Sequence, residues 1–283
     1  MSHLFRNVFS LGALFACCLP ACAQSDARPA GILARVALVS DTHCTRGVKE
    51  EQPHYRERLE QVMAQVNASS VDLVLIAGDL TENGEPEEVS DFKEQIRGFK
   101  APVWFVPGNH DVGNKRGQQG DNKLSAFRVA RFEMRCGPSF FAREHAGLRV
   151  IGLNSPIFGS GFGRERAMWR FLEKELGKTN GLPTLVFMHY PPFLKKPDEA
   201  SDYWNINPEP RRRLLALFEK GGVKTVLSGH LHRPLSNRNA GILFVTTGPV
   251  SFGLPKGKQP QGWTLVTLNS KGEARTQYRP LPN

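Results

Sequence analysis

Five of the eight histidines of this 283-residue chain fall in short polar motifs: Asp41-Thr42-His43, Gly108-Asn109-His110-Asp111, His189, and Gly229-His230-Leu231-His232. A further motif, Gly78-Asp79, adds a carboxylate. Imidazoles, carboxylates and a carboxamide are side chains that hold divalent metals and move protons near neutral pH. Each motif by itself is weak. Asp-x-His arises by chance, a lone histidine is more often hydrogen-bonded structure than a ligand, and Gly78 or Gly108 could be ordinary turn glycines. The conjunction carries the weight, because clustered histidines and carboxylates imply a metal site if the fold brings them to one place.

The elements that must do so are short apolar, β-branched runs. Candidate strands are Ala34–Ser40, Val71–Gly78, Pro102–Pro107, Leu148–Asn154, Thr184–His189, Val223–Ser228, Gly241–Thr247 and Gly262–Leu268. Most are nearly continuous apolar runs, as expected of strands covered on both faces. Between the first two, Leu59, Val62, Met63 and Val66 recur at helical spacing, and further helices are expected over Glu85–Phe99, Lys123–Met134, Arg164–Gly177 and Pro208–Lys220. This alternation predicts one layered α/β domain over residues 32–283. Asp41, Asp79, Asn109, His189 and His230 each stand at or just beyond the end of a candidate strand. In an open α/β sheet those positions converge on one crevice. The segment Gly113–Gly120 reads as a loop, and so does Pro191–Pro208, which is long enough for a functional lid.

A composition of 40% hydrophobic and 23% charged residues excludes a disordered or collagen-like chain. Residues 1–23 read as an export signal: Arg6 is the one charged side chain before Asp26, Val8–Leu19 is apolar and small, and Ala21-Cys22-Ala23 offers a small-x-small cleavage pattern. The expectation is an exported protein, periplasmic or secreted. Leu19-Pro20-Ala21-Cys22 also resembles a bacterial lipoprotein box with an off-pattern proline, which would leave the chain lipid-anchored through Cys22. No later run approaches the roughly 18–20 apolar residues of a membrane span. Beyond residue 23 the cysteines are Cys44 and Cys136, too few for a disulfide scaffold, and their pairing is left open. The N-terminal segment holds one of the 37 Lys and Arg, so the remainder keeps 36 against 27 Asp and Glu, a net +9. Such charge admits an anionic partner such as nucleic acid. That partner is not favoured, since no basic stripe is interleaved with aromatics. Arg211-Arg212-Arg213 reads as a solvated face.

The motifs in this order resemble those of the calcineurin-like metallophosphoesterase superfamily and extend from Asp41 to His232. Within it, Gly108–Asn114, and the stretch from Asp202-Tyr203 through Arg211 to Ser228-Gly229-His230, are similar to the calcineurin-like phosphoesterase domain-containing protein 1 group; His43 departs from that group's pattern. Gly78-Asp79-Leu80-Thr81-Glu82-Asn83-Gly84 looks more like the cyclic-nucleotide and glycerophosphodiester phosphodiesterase branch, whose histidine motif usually has a second His where this chain has Tyr190.

The resemblance implies a four-layer α/β/β/α sandwich and two divalent metal ions sharing Asp79. One would be held by Asp41, His43, Asp79 and His232, the other by Asp79, Asn109, His189 and His230. Mixed imidazole and oxygen ligands suit Mn, Fe or Zn better than Mg or Ca. A bridging carboxylate and a bridging hydroxide offset the repulsion of cations about 3.5–4 Å apart. The implied reaction is hydrolysis of a phosphate ester, by in-line attack of that metal-bridging hydroxide. His110 would protonate the leaving oxygen, with Asp111 holding its other ring nitrogen; read without the resemblance, Asp111 is a turn residue. Phosphomonoesters are expected ahead of cyclic nucleotides, glycerophosphodiesters or nucleic acid, because the more extended resemblance is to a phosphatase group.

Substrate-side candidates are Asn109, His110, Tyr203 and Trp204, with Phe193 and Asn205 in the same long loop. The alternative for Tyr203 and Trp204 is that they anchor the loop on the core. Asn114, Lys115 and Arg116 follow the His110 motif and could touch phosphate, although exposed loop lysines usually stay solvated and do nothing, while Cys44 reads as a packed thiol. A remote alternative is a basic binding protein stabilised by metal, although structural sites are usually closed and Cys-rich.

Overall fold

The computed structural model describes Met1 and residues 30–49, 52–118, 122–178 and 181–282. The expected export segment, Cys22 included, lies outside the described residues. In chain order the elements are β1 (Ala34–Val39), α1 (Tyr55–Asn67), β2 (Leu73–Ala77), α2 (Pro86–Gln95), β3 (Val103–Val106), α3 (Asn109–Val112), α4 (Ala126–Cys136), β4 (Phe141–His145) and β5 (Leu148–Leu153). They continue with α5 (Gly163–Leu176), β6 (Thr184–Met188), α6 (Pro208–Lys220), β7 (Thr225–Ser228), β8 (Leu235–Asn239), β9 (Ile242–Thr246), β10 (Gly262–Leu268) and β11 (Ala274–Pro280).

The strands form two sheets, ordered β11-β10-β1-β2-β3 and β4-β5-β6-β7-β9-β8. Alternation along each strand builds the layers. Val36, Leu38, Leu73 and Leu75 of the first sheet share a core with Val150, Leu185, Phe187, Leu227 and Val245 of the second. Residues of the other parity, Ala37, Val39, Val74 and Ile76 in one sheet and Ile151, Val186 and Met188 in the other, pack with apolar side chains of α1, α2, α5 and α6. The order is therefore helix, sheet, sheet, helix, the expected four layers. It explains why these strands read as unbroken apolar runs: both faces are covered, at roughly 1.5–3 kcal/mol per fully buried large side chain.

Register then aligns the motifs. The pairs β1–β2 and β2–β3 are parallel, with Val39 opposite Ile76 and Ala77 opposite Val106. Two residues on, Asp41 stands opposite Gly78 and Asp79 opposite Gly108. In the second sheet β6 and β7 are parallel with Phe187 opposite Leu227, which places His189 opposite Gly229. The Asp41 N–H donates to Gly78 O at 3.0 Å and the Gly229 N–H to His189 O at 3.0 Å, so pairing continues past the strand ends.

Three strands have no counterpart in the sequence expectation: β4, β8 and β11. Each is an antiparallel edge strand joined to its neighbour by a short turn, and each is largely solvent-facing, with sequences such as Leu-Ser-Asn-Arg-Asn. An edge strand with an exposed face needs no apolar run, so periodicity and hydropathy are silent there. The single turn α3 was likewise unforeseen; it carries Asn109, His110 and Asp111.

Candidate metal centre

Asp41 and Asp79, both buried, divide their oxygens in the same way. Asp79 Oδ1 accepts from the His110 N–H at 2.9 Å, and Asp41 Oδ2 from the His230 N–H at 3.0 Å. The second oxygens remain available. Asp79 Oδ2 lies 3.2 Å from His189 Nε2 and 3.6 Å from His43 Nε2, between two groups of ligating atoms. Asp41 Oδ1 lies 3.4 Å from His232 Nε2. Asp41, His43, Asp79 and His232 bring ligand atoms within 4.8 Å of one another, as do Asp79, His189 and His230. Asn109 joins the second group, its Oδ1 3.0 Å from His189 Nε2. The amide is turned that way because Nδ2 donates to Asn114 Oδ1 at 3.0 Å and to the Tyr203 hydroxyl at 3.3 Å.

The histidines are oriented from behind. Nδ1 of His189 meets Ala77 O at 2.8 Å, that of His232 meets Phe252 O at 2.6 Å, and that of His43 meets Glu82 Oε2 at 2.7 Å. A proton on each Nδ1 leaves the Nε2 lone pair directed into the cluster, the tautomer a metal requires. His230 is reversed: its Nε2 meets Tyr203 O at 3.2 Å. Asp41 Oδ1 and His43 Nε2 are buried with no hydrogen-bond partner among the described residues. Each such orphan costs about 1–3 kcal/mol unless something else uses its lone pair. Divalent cations would use both, so these residues fit the two-metal centre: Asp41, His43, Asp79 and His232 on one side, Asp79, Asn109, His189 and His230 on the other.

Backbone geometry shows how tightly the ligands are held. Asp41, His43, Asp79, His230 and His232 all have φ between 46° and 72°, in the left-handed region. There a non-glycine residue costs about 1–2 kcal/mol, and such strain concentrates where function demands it. Gly108 permits the closest approach: a Cβ there would sit 2.1 Å from Asp79 Oδ1 and 2.2 Å from its backbone nitrogen.

Burial and neighbouring charge act in opposite directions on the ionisable groups of the site. Burial opposes a charged His189, but Asp79 overrides it and raises that ring to about 9. Burial likewise opposes ionisation of Asp79, yet the His189 and His110 rings hold it well below the usual carboxylate range. His230 is driven down by burial and by its neighbour His189.

Asp111 does not hold the His110 ring. Its carboxylate accepts from the backbone N–H groups of Leu80 (3.1 Å), Thr81 (3.0 Å) and Gly108 (2.8 Å) and from the Thr81 hydroxyl at 2.8 Å. It therefore pins the turn after β2 to the turn after β3. Burial, then the charge of Asp79, pushes it up to about 6. The atom at His110 Nδ1 is the Glu82 carbonyl oxygen, 2.7 Å away. The His110 side chain keeps 28% of its surface exposed. Glu82 was not among the sequence candidates. Its signal was an acid three residues after Asp79, within a segment read for branch resemblance.

The long loop before α6 is braced rather than lid-like. The Glu199 carboxylate accepts from the N–H groups of Leu194, Lys195 and Lys196 at 2.8, 2.9 and 3.2 Å and from Asn205 Nδ2 at 2.7 Å. Arg211, expected on a solvated face, is wholly buried and donates to Glu199 O. Lys115 is 2% exposed and donates to Asp202 O and Asn205 O, so it staples the loop and does not reach out for phosphate. Phe193 is core, packed on Phe244 at 4.9 Å, and Asn205 is consumed inside the loop. Tyr203 and Trp204 do reach the site, with ring centroids 5.0 and 5.4 Å from His230. Cys44 and Cys136 are free thiols, pushed up to about 12 by burial.

Residues 34–234 match the model of the calcineurin-like phosphoesterase family. The chain belongs to that family, whose members use two divalent metals. It is 31% identical over 208 residues to a serine/threonine-protein phosphatase CPPED1 of Danio rerio, covering 69% of this chain and 64% of that one. It is 32% identical over 207 residues to a probable glycerophosphodiester phosphodiesterase GpdQ of Arcobacter nitrofigilis, covering 70% and 71%. Among solved structures, the purple acid phosphatase PPD1 of yellow lupin (Lupinus luteus) seeds superposes with a TM-score of 0.63 at 15% identity, over 87% of this chain and 51% of that one. That likeness is one of fold.

Two outcomes follow. Asp79→Ala should lose both metals and Asp41→Ala chiefly one, measured as bound metal per protein; full occupancy in Asp79→Ala would exclude the bridge. Lys115 titrates near 8 instead of 10.5 because burial disfavours its charge. Between those values the unfolded chain holds a proton that the folded chain has shed, so stability rises with pH. The melting temperature of the wild type minus that of Lys115→Met should climb from pH 8 to pH 10.5; a flat difference would contradict the assignment.

Proposed function

We propose that the protein is a metal-dependent phosphoesterase that prefers phosphomonoesters and acts after export. The observation that carries the reading is the position of Asp79 Oδ2 between two ligand groups, beside a histidine that neither group needs. Asp41, His43, Asp79 and His232, with Asn109, His189 and His230, would hold two divalent cations, which when bound would supply an activated water at neutral pH and neutralise charge on the phosphoryl oxygens.

The remaining work belongs to the side chains. His110 Nδ1 is held by the Glu82 carbonyl, which leaves Nε2 as the atom that delivers a proton to the departing ester oxygen. Asn109 presents its carbonyl oxygen without adding negative charge. Tyr203 and Trp204 pack on His230 and so stand beside the second ligand group, where an ester's leaving arm could meet them. The phosphatase named among the relatives supports the monoester, and the glycerophosphodiester phosphodiesterase of similar identity is the competing precedent.

The test is kcat/KM for a chromogenic phosphomonoester and its matching diester on the Mn²⁺-loaded protein. A monoester preference is expected, and a diester preference would overturn it. In the same assay His110→Ala should keep both metals yet lose about 10²–10⁴-fold in turnover; metal depletion in that variant would contradict the role of His110. Support for export comes from the apolar N-terminal run and the Ala21-Cys22-Ala23 pattern. Mass spectrometry of the protein from its native envelope should find a chain beginning at Gln24 or at a lipidated Cys22. An intact Met1 would sink export.

A further inference from the structure

Leu80–Asn83, the turn after Asp79, touches both kinds of histidine in the site. The carboxylate of Glu82 lies against His43 Nδ1 at 2.7 Å, and its backbone carbonyl against His110 Nδ1 at 2.7 Å. The two rings stand edge to face with centroids 4.5 Å apart, so one residue sits behind both. His43, His110 and Glu82 bring ligating atoms within 4.8 Å of one another. His43 nevertheless has one nitrogen committed on each side: Nδ1 to Glu82 and Nε2, buried and without a hydrogen-bond partner, toward Asp41, Asp79 and His232.

We propose that Glu82 is a positioning residue. Its carboxylate fixes His43 as an Nε2 ligand of the Asp41 group, and its carbonyl independently fixes the His110 ring. The inference rests on the two-cation reading of the site. The remaining ligand histidines whose Nδ1 is oriented from behind, His189 and His232, use neutral backbone carbonyls. A carboxylate behind His43 makes that ring a stronger donor, and it makes the two halves of the centre unlike. Asp111 takes part at one remove. By accepting from Leu80 N, Thr81 N and Thr81 Oγ1 it holds the turn that carries Glu82.

The carboxylate also approaches His110 Nδ1, but at 3.9 Å it is beyond hydrogen-bond reach, so the two hydrogen bonds use different atoms of Glu82 and can be separated. Glu82→Ala removes the carboxylate and leaves the carbonyl. Glu82→Gln keeps an oxygen acceptor without the charge. Zn²⁺ affinities read by competition with a chromogenic chelator should show one class of site weakened about 10- to 100-fold in Glu82→Ala, the other unchanged, and Glu82→Gln in between. The two classes are assigned with Asp41→Ala, which should abolish the weakened one. In the Zn²⁺-loaded wild type, a slowly exchanging Nδ1–H resonance of His43 should appear in long-range ¹H–¹⁵N spectra. It should persist in Glu82→Gln and vanish in Glu82→Ala, while that of His110 survives in both. Unchanged affinities, an equal fall in both classes, or a wild-type His43 protonated on Nε2 would overturn the proposal. Should Glu82→Ala fail to fold, Glu82→Gln and the wild-type spectrum still decide. No substrate enters these measurements, so inactivity toward phosphate esters would sink the catalytic reading and leave this one standing.

Discussion

The centre depends on how one carboxylate is divided. Asp79 gives Oδ1 to the His110 N–H and keeps Oδ2 between His43 and His189. Were Oδ1 free to rotate, neither ligand group would have a fixed shared corner. The surroundings enforce the division. Gly108 lacks the Cβ that would collide with Asp79, and parallel register sets those two residues side by side. Asp41 repeats the arrangement, giving Oδ2 to the His230 N–H of the other sheet and stitching the two sheets at their carboxyl ends. Preorganisation of this kind places ligands before any cation arrives.

Its cost is paid in strain and charge. Five ligand residues adopt left-handed backbone conformations, and buried carboxylates and imidazoles crowd together. The Asp79 charge raises the His189 ring against burial, which by itself would lower it. The surrounding sandwich carries this on two large apolar cores, formed by nearly every residue of the central parallel strands. Buried or half-buried charged groups elsewhere hold loops in place. Asp111 fastens two turns, and Lys115, Glu199 and Arg211 fasten the segment that presents Tyr203 and Trp204. An uncompensated buried charge is expensive, and Asp111, Lys115 and Glu199 meet that cost mainly with backbone amides or carbonyls, whereas Arg211 has its Nη2 on Glu199 O and its Nη1 3.7 Å from the Glu199 carboxylate.

The parallel strands and the helices between them were legible in the sequence, because a strand covered on both faces and a helix covered on one must show their burial as pattern. The edge strands β4, β8 and β11 were not, since a half-exposed edge leaves no apolar run. Lys115 and Arg211 were misread for a related reason. A charged side chain in a loop or at a helix start has a solvated face as its default, and nothing local reveals that backbone carbonyls await it in the interior. Phe193 was misread too, because aromatic type does not distinguish a core residue from a substrate contact.

By itself the sequence determined the layered α/β class, the family resemblance and the roster of metal-binding side chains at strand ends, because residue type and order are local properties. Tertiary structure decided how those side chains are used. It put the shared oxygen of Asp79 between two imidazoles, turned Asp111 away from His110, and brought Glu82 behind both His43 and His110. These are relations between atoms on different strands and turns. A hydrogen bond is set by distances and angles to a few tenths of an ångström, and only the packed sheets fix those.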